Sequence, residues 1–139
     1  DPGREKIVMV KDALSDFLVR LKNAQAVKKE TVEIPYTALL WETAKVLERS
    51  GYVKKLDRHG KRFRRTLEVT LSYNKDGDGR ITGARRVSRQ SRRVYKKASE
   101  LYPVRHGFGK HVISTSRGIM TNSEAHKTGV GGEVLFEIW

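Results

Sequence analysis

At 139 residues the chain has room for one ordinary core or for two small lobes sharing an interface, and for nothing larger. It carries 29 Lys+Arg against 16 Asp+Glu, a formal net charge of +13 and a pI near 10.2, the electrostatic footprint of a phosphate-binding surface. No apolar run approaches membrane-spanning length and there is no Cys, which excludes disulfides and thiolate zinc sites and points to a reducing, intracellular home with no membrane partner.

Divided after Lys75, the first part has 17 basic and 10 acidic residues and the second 12 and 6, so the charge is spread over both rather than held in a tail. In VKDALSDFLVRLKNAQ the apolar residues Val10, Leu14, Phe17, Leu18 and Leu21 recur at helical spacing, with Asp12 placed to cap the helix or sit in its first turn. TVEIPY reads as a short strand, and Pro35 puts it at a sheet edge. TALLWETAKVLERSG predicts a second helix with Leu40, Ala44 and Leu47 on one stripe, a cap at Thr37 and a stop at Gly51. YVKKLD and TLEVTLSY follow as paired strands, because Leu67, Val69, Leu71 and Tyr73 alternate with polar neighbours. NKDGDGR marks a turn or linker. Beyond it RITGARRV, RVYKK, HVISTS and EVLFEIW read as strands, interrupted by a short helix that opens at Thr121, with Glu124 at capping-box spacing, and ends at Gly129.

Several motifs imitate sites. Asn74, Asp76, Asp78 and Gly79 resemble a calcium-binding loop, but Arg85 stands where the bidentate Glu is needed, so a plain turn is expected. His59, His106, His111 and His126 show no ligand spacing, and no metal or other cofactor is expected. GFGKH and GVGGE lack the phosphate-loop and dinucleotide patterns and read as turns. Within STSRG, Ser116 lacks the GxSxG elbow and no His or acid is marked out to activate it, so an enzyme is not expected. The basic runs are harder to dismiss. KKLDRHGKRFRR, from Lys54 to Arg65, holds seven basic residues, one Asp and Phe63, at a hairpin between two strands. RRVSRQSRRVYKK, from Arg85 to Lys97, holds seven basic residues and no acid. Like charges packed this densely repel one another unless a polyanion neutralises them. Tyr95 among the arginines is either a core residue or a face on which a base can stack.

Three stretches resemble one family, the S-eight ribosomal proteins of the small subunit in their bacterial or organellar form. DALSDFLVRLKNAQ is similar to the family's opening helix, DPIADMLTRIRNA, and RVSRQSRRVYK to its RVSRPGLRVYK. STSRGIMT followed by GVGGEVL and a terminal aromatic matches its C-terminal signature. Ala13 stands where the family has Pro, Gln90-Ser91 replaces Pro-Gly, and residues 1–11 precede the first family position. The resemblance implies no catalytic role. It implies contact between STSRG and an irregular helix in the central domain of small-subunit ribosomal RNA, beside neighbouring small-subunit ribosomal proteins, on a cytoplasmic bacterial or an organellar ribosome. For bacterial members it also implies binding to a mimic of that site in their own operon messenger RNA.

On the same resemblance Ser114, Thr115 and Ser116 meet base edges and 2′-hydroxyls, groups that a bare positive charge does not distinguish. Gly118 lets the backbone come close, while Arg89, Arg92, Arg93, Lys96 and Arg117 neutralise phosphates. Tyr95 stacks or donates from its phenol, and Glu133 either sits beside the loop to order it or is a plain surface acid. The expected architecture is α+β in two lobes: α-β-α-β-β over residues 1–75, and mostly β with one short helix over 76–139 as the RNA-binding lobe. The competing readings are a nucleic-acid chaperone or architectural DNA binder using the same basic faces, and a hydrolase built on Ser116.

Overall fold

The computed structural model describes residues 2–101 and 109–139, with side chains from Ala13 onward. His106, the first two residues of GFGKH and the side chains of Val10 and Asp12 lie outside the described residues. The elements are α1 (Pro2–Ala26), β1 (Thr31–Pro35), α2 (Ala38–Arg49), β2 (Val53–His59), β3 (Thr66–Leu71), β4 (Ala84–Arg86), β5 (Tyr95–Lys96), a 3-10 turn η1 (Ala98–Glu100), β6 (Lys110–Thr115), β7 (Gly118–Thr121), α3 (Asn122–Thr128) and β8 (Gly132–Ile138). The protein is α+β with two antiparallel sheets, ordered β1-β3-β2 and β4-β8-β6-β7 with β5 also on β8. It forms two compact units, one spanning Ala13–Thr82 and the other built around Gly83–Trp139.

Helix α1 begins at Pro2, ahead of the first unit, so Asp12 lies inside the helix and not at its start. Pro2 suits a first turn and the residues after it are mostly good helix formers, which lets the helix propagate ahead of the amphipathic stripe. Leu14, Phe17, Leu18 and Leu21 are buried as the periodicity requires. In α2 the Thr37 hydroxyl accepts from Leu40 N–H at 3.1 Å, and Leu40, Ala44 and Leu47 turn inward. Gly51 follows at φ +83, the left-handed conformation that closes a helix at little cost in glycine. Pro35 is on edge strand β1, as its missing N–H demands, opposite Thr66. Leu67, Val69 and Leu71 of the central strand are buried, whereas Tyr73 falls past the strand and is only half-buried. The NKDGDGR stretch is a tight turn in this unit, closed by Asn74 N–H to Asp78 O at 2.7 Å and a Tyr73–Gly79 bridge. Gln25, buried, donates to Ile81 O at 2.7 Å and accepts from Ile81 N–H at 3.0 Å, clasping the turn's exit.

In the second unit β8 is central. On one edge it pairs with β6, and on the other with β4 along one half and β5 along the other. The expected strand RITGARRV shortens to Ala84–Arg86; Gly83 and Trp139 exchange two hydrogen bonds of 3.0 Å that continue its register with β8, and Ile81 is instead held by Gln25. The Trp139 ring lies against Gly83, where a Cβ would stand 2.4 Å from it. Leu101, Ile113, Ala125 and Val134 form a buried cluster, with Val87, Val94, Met120 and Val130 packed on it. Helix α3 has the capping box read from the sequence: Thr121 Oγ1 accepts from Glu124 N–H at 3.2 Å and Glu124 returns to Thr121 N–H at 2.9 Å. Gly129 ends it at φ +78. The strand β7, absent from the sequence reading, precedes that cap directly. GIMT is too short for an alternation to register and earns its place only by pairing with β6.

Candidate nucleic-acid interface

Strands β6 and β7 form a hairpin whose turn is Ser116-Arg117, with Thr115 opposite Gly118. The Thr115 hydroxyl donates to Gly118 O at 2.8 Å and accepts from Arg117 N–H at 3.0 Å. Gly118 adopts φ +109, a region where a Cβ is strained. The three hydroxyls of STSRG therefore divide. Thr115 braces the turn with its one proton committed, Ser116 and Arg117 are exposed at the tip, and Ser114 is half-buried in the strand.

The register carries this hairpin to the other candidate residues. Tyr95 lies opposite Glu133 and Glu133 opposite Ser114, so residues from β5, β8 and β6 form one row. Directly opposed residues of an antiparallel sheet project to the same face. The next row runs Lys96, Gly132, Thr115, Gly118 and ends at the turn. Glycines 131 and 132 are thus not a turn, as the motif suggested, but the entry to β8. A Cβ on Gly132 would stand 2.1 Å from Ser114 O, and one on Gly131 2.4 Å from Lys96 O, so only glycine admits the neighbouring backbones. Tyr95 is 63% exposed, so it is not a core residue. The Arg93 pKa is raised, first by the Tyr95 side chain and then by the charge of the Glu133 carboxylate. Glu133 is half-buried, opposite Tyr95 and Ser114 in the register.

The remaining arginines stand on the excursion between β4 and β5. Arg89 and Arg92 exchange two backbone hydrogen bonds, of 2.9 and 3.0 Å, around Gln90-Ser91, making a two-residue hairpin with all four side chains exposed. Its base is closed by Ser88, a residue the sequence reading passed over. Ser88 is fully buried, accepts from Val94 N–H at 2.9 Å and donates to Val94 O at 3.3 Å. Nothing in the local pattern separates this buried serine from a surface one. Arg86 is likewise structural, donating to Leu135 O at 3.2 Å and Ser88 O at 2.9 Å.

His126 and His111 serve the fold. His126 Nδ1 donates to Ala98 O at 2.9 Å, tying α3 to η1. His111 sits 3.6 Å from Glu137, which Arg85 also engages at 2.8 Å. Burial lowers the His111 pKa despite that carboxylate. Asp57, His59 and Glu68 bring ligand-type atoms within 4.8 Å of one another, but Lys55 Nζ, 3.4 Å from Asp57, supplies the counter-charge at that spot.

Fold and surface define a class: a small, basic α+β protein whose exposed turns carry cations, hydroxyls and aromatic faces. The chain belongs to the ribosomal protein S8 family, whose model matches residues 12–139. It is 43% identical over 126 residues to the small ribosomal subunit protein uS8 of Rubrobacter xylanophilus, covering 91% of this chain and 96% of that one. The protein of the same name from Bifidobacterium longum subsp. infantis is 39% identical over 128 residues, 92% and 97% of the two chains. That from Helicobacter pylori is 36% identical over 131 residues, 94% and 100%. Among the described residues no helix is long and apolar enough to cross a membrane.

Proposed function

We propose that the chain is a structural constituent of the small subunit of a bacterial ribosome, and that the β5–β8–β6 end of its second sheet binds an irregular helix in the central domain of small-subunit ribosomal RNA. The observation that carries this reading is the shared row of Tyr95, Glu133 and Ser114, which sets an aromatic face, a carboxylate and a hydroxyl side by side next to the Ser116-Arg117 turn. Arg89, Arg92, Arg93, Lys96 and Arg117 neutralise phosphates and fix the register. Ser114 and Ser116 discriminate, since a hydroxyl both donates and accepts. Thr115 acts through the turn it braces. Glu133, opposite Tyr95 in the sheet, attracts Arg93 and accepts from a 2′-hydroxyl. The same surface takes the mimic of this site in the operon messenger RNA, and neighbouring small-subunit proteins flank it on the particle.

Two variants test the division of labour in one salt titration with a small-subunit ribosomal RNA fragment and a nonspecific RNA. Arg92→Gln with Arg93→Gln removes two phosphate contacts, so the slope of log affinity against log salt becomes shallower by roughly 1.4–1.8 for both RNAs. Ser116→Ala leaves the slope alone and costs the cognate RNA on the order of 1 kcal/mol for each hydrogen bond lost. Equal loss on both RNAs, or none, refutes the discriminating role of the hydroxyl turn. Duplex DNA competing as well as the cognate fragment at fixed moderate salt returns the architectural DNA-binding reading.

A further inference from the structure

The second basic run, Lys54–Arg65, lies in the other compact unit. Strand β2 ends at His59 and β3 begins at Thr66, and the loop between them is a built turn. Gly60 adopts φ +92, where a Cβ would stand 2.2 Å from Arg64 O, and Arg64 N–H donates to Lys61 O at 2.8 Å. This closure places Lys61, Arg62, Phe63 and Arg64 at the tip, all exposed. Phe63 is 92% exposed, more than any other large apolar side chain among the described residues. From Arg58 to Arg65 there are five Lys or Arg and no acid. The carboxylates on the adjoining strands face other groups, Asp57 toward Lys55 at 3.4 Å and Glu68 toward His59 at 3.7 Å. No ion pair joins Lys61, Arg62 or Arg64 to a described carboxylate.

The base of the loop is held by a different interaction. The Arg58 guanidinium lies 4.6 Å from the Trp41 ring and 5.8 Å from Tyr36, and that of Arg65 lies 5.7 Å from Tyr36. Two arginines are thus spent on aromatic faces at the root, which leaves Lys61, Arg62 and Arg64 to point their charge outward around one bare phenyl ring. We propose that this tip is a second RNA-binding element, one that takes an unpaired stretch of RNA with a base stacked on Phe63 and phosphates on Lys61, Arg62 and Arg64. It rests on the ribosomal reading only for the choice of RNA. A single strand offers a phosphate and an open π-face at every nucleotide, whereas a duplex closes its base faces. An acidic peptide meets the cations but has no use for a solvated phenyl ring. An anionic membrane calls for several apolar side chains on one face, and the tip has one.

The test uses the full chain, a mixed-sequence single-stranded RNA dodecamer, an RNA duplex of equal length and vesicles containing phosphatidylserine. Phe63 is solvated, so Phe63→Ala leaves the unfolding midpoint in place. It is expected to weaken single-strand binding roughly 5- to 150-fold without changing the salt slope. Phe63→Trp restores binding and Phe63→Leu does not, since stacking needs the π-face. Arg62→Gln with Arg64→Gln makes the single-strand slope shallower by roughly 1.4. The proposal is overturned if Phe63→Ala keeps single-strand affinity within two-fold, if Leu serves as well as Phe, or if the substitutions abolish vesicle binding and spare RNA. The Arg92/Arg93 double variant runs alongside. Loss there with intact hairpin variants overturns this inference alone, and the reverse pattern overturns the second-sheet reading alone.

Discussion

Replacing Gly132 by Ala is the sharpest probe of how the second sheet is assembled. The added Cβ would stand 2.1 Å from Ser114 O, 2.9 Å from Ser114 C and 3.1 Å from Thr115 Cα. All three are backbone atoms of β6, so no side-chain rotation relieves the overlap. A tolerable C···O contact is about 3.3 Å, which obliges β6 to retreat by more than an ångström and loosens the Ser114–Glu133 and Thr115–Gly132 pairings. Overpacking of this kind costs about 1–3 kcal/mol, and forced backbone movement places it at the upper end. Against that, Gly132 is not at positive φ, so Ala restricts the unfolded chain and returns about 0.4–1 kcal/mol. The net expectation is a loss of about 2 kcal/mol, read as a fall of roughly 1 M in the urea midpoint for a denaturant slope near 2 kcal/mol/M. Faster hydrogen exchange at the Ser114 and Thr115 amides should accompany it. An unchanged or raised midpoint means that Ala acts only on the unfolded chain, and the close approach of β8 to β6 is wrong.

Two further outcomes are expected. Leu18→Ala removes a buried side chain from the core of the first unit and should cost about 2–5 kcal/mol in a urea titration; a midpoint that does not move refutes the packing of α1. Burial holds the folded His111 pKa below that of the unfolded residue, so the unfolded chain binds the extra proton first. Its contribution is fully present above about pH 6.5 and is lost as the pH falls from there toward the folded pKa. Comparing midpoints at pH 7.5 and 5.5, His111→Gln should lose less on acidification than the parent chain; an equal loss points to other groups.

Local pattern determined much of this protein. Helix stripes, the Thr37 and Thr121 caps, the Gly51 and Gly129 stops and the Pro35 edge follow from side-chain periodicity and backbone chemistry within a few residues, and each stands where the sequence put it. Charge alone also marked both basic runs. What sequence does not encode locally is pairing. The row of Tyr95, Glu133 and Ser114 joins residues far apart in the chain, and only the strand register sets them on one face. The glycines of GVGGE look like a turn until a neighbouring backbone is seen occupying the space of their missing Cβ atoms. Among three adjacent hydroxyls, the geometry of a turn commits Thr115 and leaves Ser116 exposed. A serine, a tyrosine or a glycine has the same composition whether buried, stacked or solvated. Its role is decided by which atoms the fold brings within hydrogen-bonding or van der Waals distance, and those are set by tertiary packing.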